Sequence, residues 1–102
     1  MSKTFFTLAG TNHYYGHGFF KPDMTVKLIK EPDNEFDHEA IRVEVEGLGT
    51  VGYVANSPYT LIGESYSAGR LYDKIGDNAT GTVLYVLPKG VFCFVNEECL
   101  LK

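Results

Sequence analysis

The sequence predicts a mainly β domain of the α+β class, built as a small barrel with one or two helices. Three observations indicate this fold: short runs in which apolar and polar residues alternate, turn-forming residues between these runs, and a single segment with helical spacing. The chain has seven Tyr, seven Phe and no Trp. Aromatic side chains of this kind fill and cover the ends of small barrels, so the composition agrees with the predicted architecture.

The first strands follow from alternation of apolar and polar residues. Residues 5–11 are predicted as a strand with Phe6 and Leu8 on one face, and a glycine-rich loop follows. Residues 24–29 alternate again, with the apolar side chains inward. Residues 41–46 have the clearest period of two, because Ile and Val face one way and Arg and Glu face the other. These segments therefore read as half-buried strands.

Two hairpins and the last strands complete the prediction. Gly47-Leu48-Gly49 turns the chain from the third strand into residues 50–54, which predicts antiparallel pairing. Residues 79–87 and 91–95 flank Pro88-Lys89-Gly90, a second hairpin signal. Both hairpins join strands that are adjacent in sequence, as expected for a barrel of short strands.

One helix is predicted between the hairpins. Ser57 is a good N-cap residue, Pro58 suits the first helical position, and apolar residues recur at helical spacing up to Gly69. Gly63 lies inside this segment and costs about 1 kcal/mol relative to alanine in a helix interior. The helix is therefore expected from its start signal more than from its composition.

Length and charge limit the classes of function. The chain has 102 residues and a net charge of −4, which predicts a single domain, residues 1–102, with room for one site. An acidic protein repels phosphate polymers, which argues against non-specific coating of nucleic acid. A local site is still allowed, since salt screens charges that lie more than roughly 8 Å apart.

Cysteine usage and hydropathy indicate the compartment. Cys93 and Cys99 lack CxxC spacing, which fits a reducing compartment, and Cys93 lies in an apolar run as expected of a buried thiol. No segment approaches the roughly 20 apolar residues that span a bilayer, and none forms a signal peptide. We therefore expect a cytoplasmic protein with no membrane association.

The segment from Lys30 to Val43 is the most informative part of the chain. It places turn-forming, acidic, aromatic and basic residues between two alternating runs. Pro32 fixes its own φ angle, and Asp33 and Asn34 can bond to nearby main chain, so the segment predicts a rigid loop. A rigid loop on a strand scaffold is a usual position for a binding site.

This segment and the strand after it resemble the HIRAN domain family. The matching residues are Glu31, Pro32, Asp33, Asn34, Phe36, Asp37, Ala40, Ile41 and Val43, followed by Val51, Gly52, Tyr53 and Val54. The pair Tyr14-Tyr15 is similar to an aromatic pair that follows the family's first strand. The resemblance extends from Phe5 to Leu87.

The resemblance implies a modified oligonucleotide-binding (OB) barrel flanked by helices. It also implies a module that captures the 3′ end of single-stranded DNA, as the domain does in the family's best-understood eukaryotic members, where it is appended to DNA-remodelling translocases. Tyr14, Tyr15 and Phe36 stand where family members carry aromatic residues that stack on terminal bases. Asp37 stands where an aspartate meets the terminal 3′-hydroxyl. A helicase or translocase is the implied protein partner, and no cofactor is implied.

Two departures from the family pattern affect the expected affinity. His13 stands where DNA-binding members have an arginine, and Asn56 lies where basic residues follow the strand. A histidine is largely neutral at physiological pH and an asparagine carries no charge. We therefore expect fewer phosphate contacts, with weaker and less salt-dependent binding at a site containing Tyr14, Tyr15, Phe36, Asp37, His13 and Asn56.

The residues also allow other functions. A protein-interaction or regulatory module of the same fold would explain the acidic balance, and an accessory domain of a nucleic-acid hydrolase or translocase is a further alternative. His13, His17 and His38 are expected to be solvated loop residues and not zinc ligands, because glycines around His17 disfavour the helix that such spacing needs. Tyr14 and Tyr15 also have a structural interpretation, in which one of the two points inward on a strand-like segment.

Overall fold

The computed structural model describes residues 3–101, and its strands form a closed antiparallel barrel. The strand order is β1-β4-β3-β2-β5-β6, and β6 closes the barrel by pairing with β1. The strands are β1 (Phe5–Ala9), β2 (Thr25–Glu31), β3 (Ala40–Val45), β4 (Gly49–Val54), β5 (Asn78–Leu87) and β6 (Gly90–Val95). The predicted mainly β class is confirmed.

The alternating segments became the strands because their apolar faces fill the barrel. Val26 and Leu28 of β2 and Ile41 and Val43 of β3 are fully buried, as the period of two predicted. Both predicted hairpins are present, as β3 pairs with β4 and β5 pairs with β6. Burial raises the pKa of the Cys93 thiol to about 12, which agrees with the predicted buried, free cysteine.

The first strand is shorter than predicted and is buried on both faces. It ends at Ala9 because Gly10 adopts a left-handed φ of 72°, after which residues 11–13 form a single 3-10 turn. Thr7 is also fully buried, since its hydroxyl lies 2.8 Å from that of Ser65 and accepts a hydrogen bond from the Ile62 N–H. The loop after β4 therefore covers the outer face of β1.

The helix predicted between Ser57 and Gly69 is wrong in position. Ser57 begins only one turn, in which its hydroxyl accepts the Tyr59 N–H, and Gly63 then takes a left-handed φ of 58°. The α-helix α1 spans Ala68–Tyr72 instead, and the hydroxyl of Ser67 caps it by accepting the Arg70 N–H. Ala68 and Leu71 are buried, so the helix is positioned by its packing against the core.

The family resemblance implied a barrel flanked by helices, but the described residues contain few of them. Within residues 3–101 the helical elements are α1 and the two 3-10 turns Thr11–His13 and Glu97–Cys99. None of the described helices is long and apolar enough to cross a membrane.

Candidate functional site

A groove of about 620 Å³ opens between the turn after β1, the loop from β2 to β3 and the end of β4. A smaller hollow of about 380 Å³ lies along residues 30–34 of the same loop. The residues that line the larger groove are Gly10, His13, Tyr14, Asn34, Phe36, Asp37, Ala40, Tyr53 and Val54. The groove thus brings together segments that are separate in sequence.

The loop from β2 to β3 is held in shape by Asn34. Its side-chain oxygen accepts the backbone N–H of Phe36 at 2.9 Å and that of Asp37 at 3.1 Å. Its own backbone N–H donates to the carbonyl of Glu31 at 3.0 Å. The predicted turn is present, and it leaves the ring of Phe36 93% exposed beside the groove.

The carboxylate of Asp37 is fixed by two donors. Its Oδ1 accepts the backbone N–H of Glu39 at 2.9 Å, and its Oδ2 accepts the side-chain amide of Asn56 at 2.8 Å. The amide oxygen of Asn56 in turn accepts the Gly69 N–H at 2.9 Å, which connects the loop to α1. Since each carboxylate oxygen has two lone pairs, Asp37 keeps capacity to accept a further hydrogen bond from a ligand.

A polar network centred on Glu31 lies under the loop. Tyr53 and Asn34 donate to Glu31 Oε1 at 2.9 and 3.0 Å, and Arg42 donates to Oε2 at 2.8 Å. Burial opposes ionisation of Glu31, but these donors outweigh it and hold its pKa below the usual range. Burial and the bond to Glu31 raise the pKa of Tyr53 to about 12, so its hydroxyl stays a donor at neutral pH.

The two adjacent tyrosines take different positions, and neither points into the core. Tyr14 lines the groove and is 42% exposed, whereas Tyr15 is 59% exposed and its hydroxyl lies 3.4 Å from the carbonyl oxygen of Leu48. The prediction that one of them points inward is wrong, because the segment is a turn: the Tyr14 N–H donates to Thr11 at 2.9 Å. Consecutive side chains therefore do not alternate as they do on a strand.

Each of the three histidines has different neighbours. His13 lines the groove, while His17 Nδ1 lies 3.0 Å from the Thr11 hydroxyl and His38 Nδ1 lies 3.0 Å from the Pro32 carbonyl. Among the described residues there is no group of three or more His, Cys, Asp or Glu side chains arranged to hold a metal ion.

The structure brings five of the six predicted site residues together. His13, Tyr14, Phe36 and Asp37 line the groove, and Asn56 contacts Asp37. Tyr15 is not among the lining residues and lies toward the β3–β4 turn.

Sequence reasoning missed the residues that support the groove from below. Tyr53 and Arg42 are opposite each other in the β3–β4 pairing, and Glu31 is at the end of the neighbouring strand. The sequence signal that could have indicated this network was that Arg42 and Tyr53 both face outward on their strands. Joining them required the strand register, which the sequence did not supply.

The lining of the groove carries little positive charge. It contains three aromatic side chains and one carboxylate, and no Lys or Arg is among its residues. Phosphate contacts inside the groove are therefore limited to neutral donors and His13. Weak binding with a weak salt dependence at these residues stays a prediction.

Comparison with known proteins identifies similarities in sequence and in fold. The family model described as HIRAN domain matches residues 1–102. A crystal structure of a protein from Lactobacillus plantarum is similar over 90% of this chain and 88% of that one, with a TM-score of 0.62 and 20% identity. The crystal structure of the HIRAN domain of human HLTF covers 95% of this chain and 78% of that one, with a TM-score of 0.61 and 18% identity. No curated protein matches the sequence.

Proposed function

The chain belongs to the HIRAN domain family, whose members are known as nucleic-acid-binding modules, and from this premise we propose that it binds the 3′-hydroxyl end of single-stranded DNA. The observation that carries the proposal is the pairing of an exposed ring, Phe36, with the fixed carboxylate of Asp37 at one groove. The proposal treats the barrel as OB-like and residues 1–102 as one domain.

Aromatic side chains supply the affinity in this proposal. Tyr14 stacks on the terminal base, and Phe36, which also lines the groove, forms a wall of the pocket. Stacking of a base on an aromatic ring is worth roughly 1 to 3 kcal/mol and tolerates any base. The binding is therefore independent of sequence.

Asp37 supplies the selection for the end. Its carboxylate is held by Asn56 and by the backbone of Glu39, so it does not need to be ordered when the strand binds. A free 3′-hydroxyl donates a hydrogen bond to this carboxylate, whereas a 3′-phosphate is repelled by it. One side chain thus discriminates a free end from a blocked one.

The domain acts by recognition and not by turnover, as HIRAN domains are binding domains and are not catalytic by themselves. In the proposed role it delivers a strand end to a helicase or translocase during DNA repair or remodelling. Any hydrolysis of ATP or nucleic acid belongs to that partner.

The test is a fluorescence-anisotropy titration at low salt with two matched single strands, one ending in a 3′-hydroxyl and the other in a 3′-phosphate. We expect the hydroxyl strand to bind more tightly. Asp37→Asn should reduce this preference, while Tyr14→Ala weakens both strands by about 1 to 3 kcal/mol. Tyr85→Ala is the matched control, because Tyr85 is an exposed tyrosine outside the groove.

Equal affinity for the two strands would contradict end recognition by Asp37. Loss of binding in Tyr85→Ala equal to that in Tyr14→Ala would move the stacking surface out of the groove. If neither strand binds at low salt, the domain does not use DNA as its ligand.

A protein-interaction module is the second candidate function, and the charge of the groove favours it. Aromatic rings beside a carboxylate, without Lys or Arg in the lining, suit a cationic side chain of a partner protein. In that case arginine- or lysine-containing peptides should shift the amide resonances of Phe36 and Asp37, and the DNA strands should not. Saturable binding of the strands without any peptide-dependent shift would exclude this candidate.

A further inference from the structure

We propose that Arg70 and Lys74 form a phosphate-binding site for the part of a single strand that continues beyond the groove. This inference rests on the proposed function and adds to it the position where the strand's backbone charge is met. It assigns a role to Arg70, which lies in α1, and to Lys74, which lies two residues after its end; neither lines the groove.

The first argument is the distribution of positive charge. Among residues 3–101, only Lys27 and Arg42 form ion pairs with described carboxylates: Lys27 pairs with Glu46, and Arg42 pairs with Glu31 and Glu44. The groove itself contains no Lys or Arg. A strand that ends in the groove must therefore find cations for its phosphates elsewhere on the surface.

The second argument is the convergence of two cations on one ring. The guanidinium of Arg70 lies 4.5 Å from the centroid of the Tyr66 ring, and the ammonium of Lys74 lies 5.5 Å from the same centroid. Both side chains are exposed. Two like charges four residues apart repel each other, so an anion between them would be stabilising.

The site is anchored on both sides by the backbone. Tyr66 forms a β-bridge with Phe6, and its N–H donates to Phe5 at 2.7 Å. The carbonyl of Lys74 accepts the Leu101 N–H at 2.8 Å. The backbone that carries Tyr66 and Lys74 is therefore held in place before a ligand binds, which lowers the entropy cost of binding.

The connection to the groove runs through Asn56. Its amide donates to Asp37 and accepts from Gly69, and Arg70 is the next residue after Gly69. Two hydrogen bonds therefore connect the backbone nitrogen of Gly69 to the Asp37 carboxylate, and Arg70 is the next residue along α1. In this proposal, a strand whose last nucleotide contacts Asp37 continues across α1, where an earlier phosphate is bound by Arg70 and Lys74.

The test compares a dinucleotide with a decanucleotide, both single-stranded and ending in a 3′-hydroxyl, over a series of salt concentrations. In the variant with Arg70→Gln and Lys74→Gln we expect the decanucleotide to bind about threefold to tenfold more weakly at low salt. Its slope of log K against log salt should become less steep by about 1.4, that is about 0.7 for each lost phosphate contact. The dinucleotide should bind as it does to the unchanged protein.

Lys89→Gln is the matched control, because Lys89 is an exposed lysine in the turn from β5 to β6. Because this control removes one positive charge and the double variant removes two, an equal loss of decanucleotide binding free energy per removed charge would mean that net charge alone acts, and would overturn the proposal. An unchanged salt slope in the double variant would also overturn it.

The same titrations separate this inference from the proposed function. If end preference is seen but the double variant binds the decanucleotide normally, the groove is correct and the phosphate site is wrong. If the double variant loses decanucleotide affinity although the protein shows no preference for a 3′-hydroxyl, the phosphate site is correct and end recognition is wrong. Absence of binding by either oligonucleotide overturns both.

Discussion

Asn34 connects the exposed part of the groove with the polar network beneath it. Its side-chain oxygen accepts two backbone donors of the loop, and its amide donates to Glu31. Glu31 is in turn bound by Tyr53 and Arg42. The positions of Phe36 and Asp37 therefore depend on a carboxylate that lies outside the loop's exposed tip.

Glu31 should make the stability of the protein depend on acid pH. Burial opposes its ionisation, but its three donors lower its pKa below the ordinary 4.5. A lowered pKa contributes stability that is present above about pH 4.5 and is lost as pH falls through the folded-state pKa. We expect the urea midpoint of the unchanged protein to fall more steeply below that pH than the midpoint of Glu31→Gln.

Glu35→Gln is the control for this prediction, because Glu35 is exposed in the same loop. Its urea midpoint should follow that of the unchanged protein at every pH. Parallel pH profiles for Glu31→Gln and the unchanged protein would show that the network does not favour the ionised carboxylate.

At the scale of elements, the strands were predictable and the helix was not. Residues 41–45 alternate strictly, and burial of one face of a strand leaves little choice of structure. Ser57 and Pro58 are a good start signal for a helix, but Ser57 caps only one turn. The backbone N–H of Ile62 then donates to the Thr7 hydroxyl of β1 instead of continuing a helix. That contact joins residues 55 positions apart, which no local pattern encodes.

The site was predictable in its exposed residues and not in its supporting ones. Phe36 and Asp37 were predicted because the turn residues and the family motif that indicate them lie in one short segment of the sequence. The bond from Tyr53 to Glu31 joins residues 22 positions apart and depends on the register of three strands. Local sequence therefore indicated the groove but not the network that supports it.

Gly52 is the position where β4 depends on the absence of a side chain. A Cβ atom there would lie 2.6 Å from the carbonyl oxygen of Ala9 and 2.7 Å from Leu8 Cδ1. We expect Gly52→Ala to lower the free energy of unfolding by about 1 to 3 kcal/mol, since overpacking displaces β1. Gly76→Ala is the control, because a Cβ at Gly76 meets nothing within 4 Å. Equal urea midpoints for the two variants would contradict the close packing of β1 on β4.

At the scale of the whole molecule, the closed barrel should protect Cys93 from modification. Its side chain is fully buried, and burial raises its pKa to about 12. Cys99 is only partly buried. A thiol-specific reagent added to the native protein at pH 8 should therefore modify Cys99 first, and Cys93 only at the rate at which the barrel opens.

Mass spectrometry of the labelled peptides would assign the modified cysteine. Cys99→Ser should remove the fast phase and leave the slow one. Rapid labelling of Cys93 in that variant at native conditions would contradict its burial in a stable barrel.

The pairing that closes the barrel also affects how the chain folds during synthesis. Of the six strands of the barrel, β1 is synthesised first and pairs with β6, which is synthesised last, so that Phe5 lies opposite Phe94. Until β6 has emerged, β1 lacks one of its two neighbours and the sheet has open edges. Closure of the barrel must therefore wait until β6 has been synthesised, and contacts between such distant residues make folding slow compared with a helical domain of the same size.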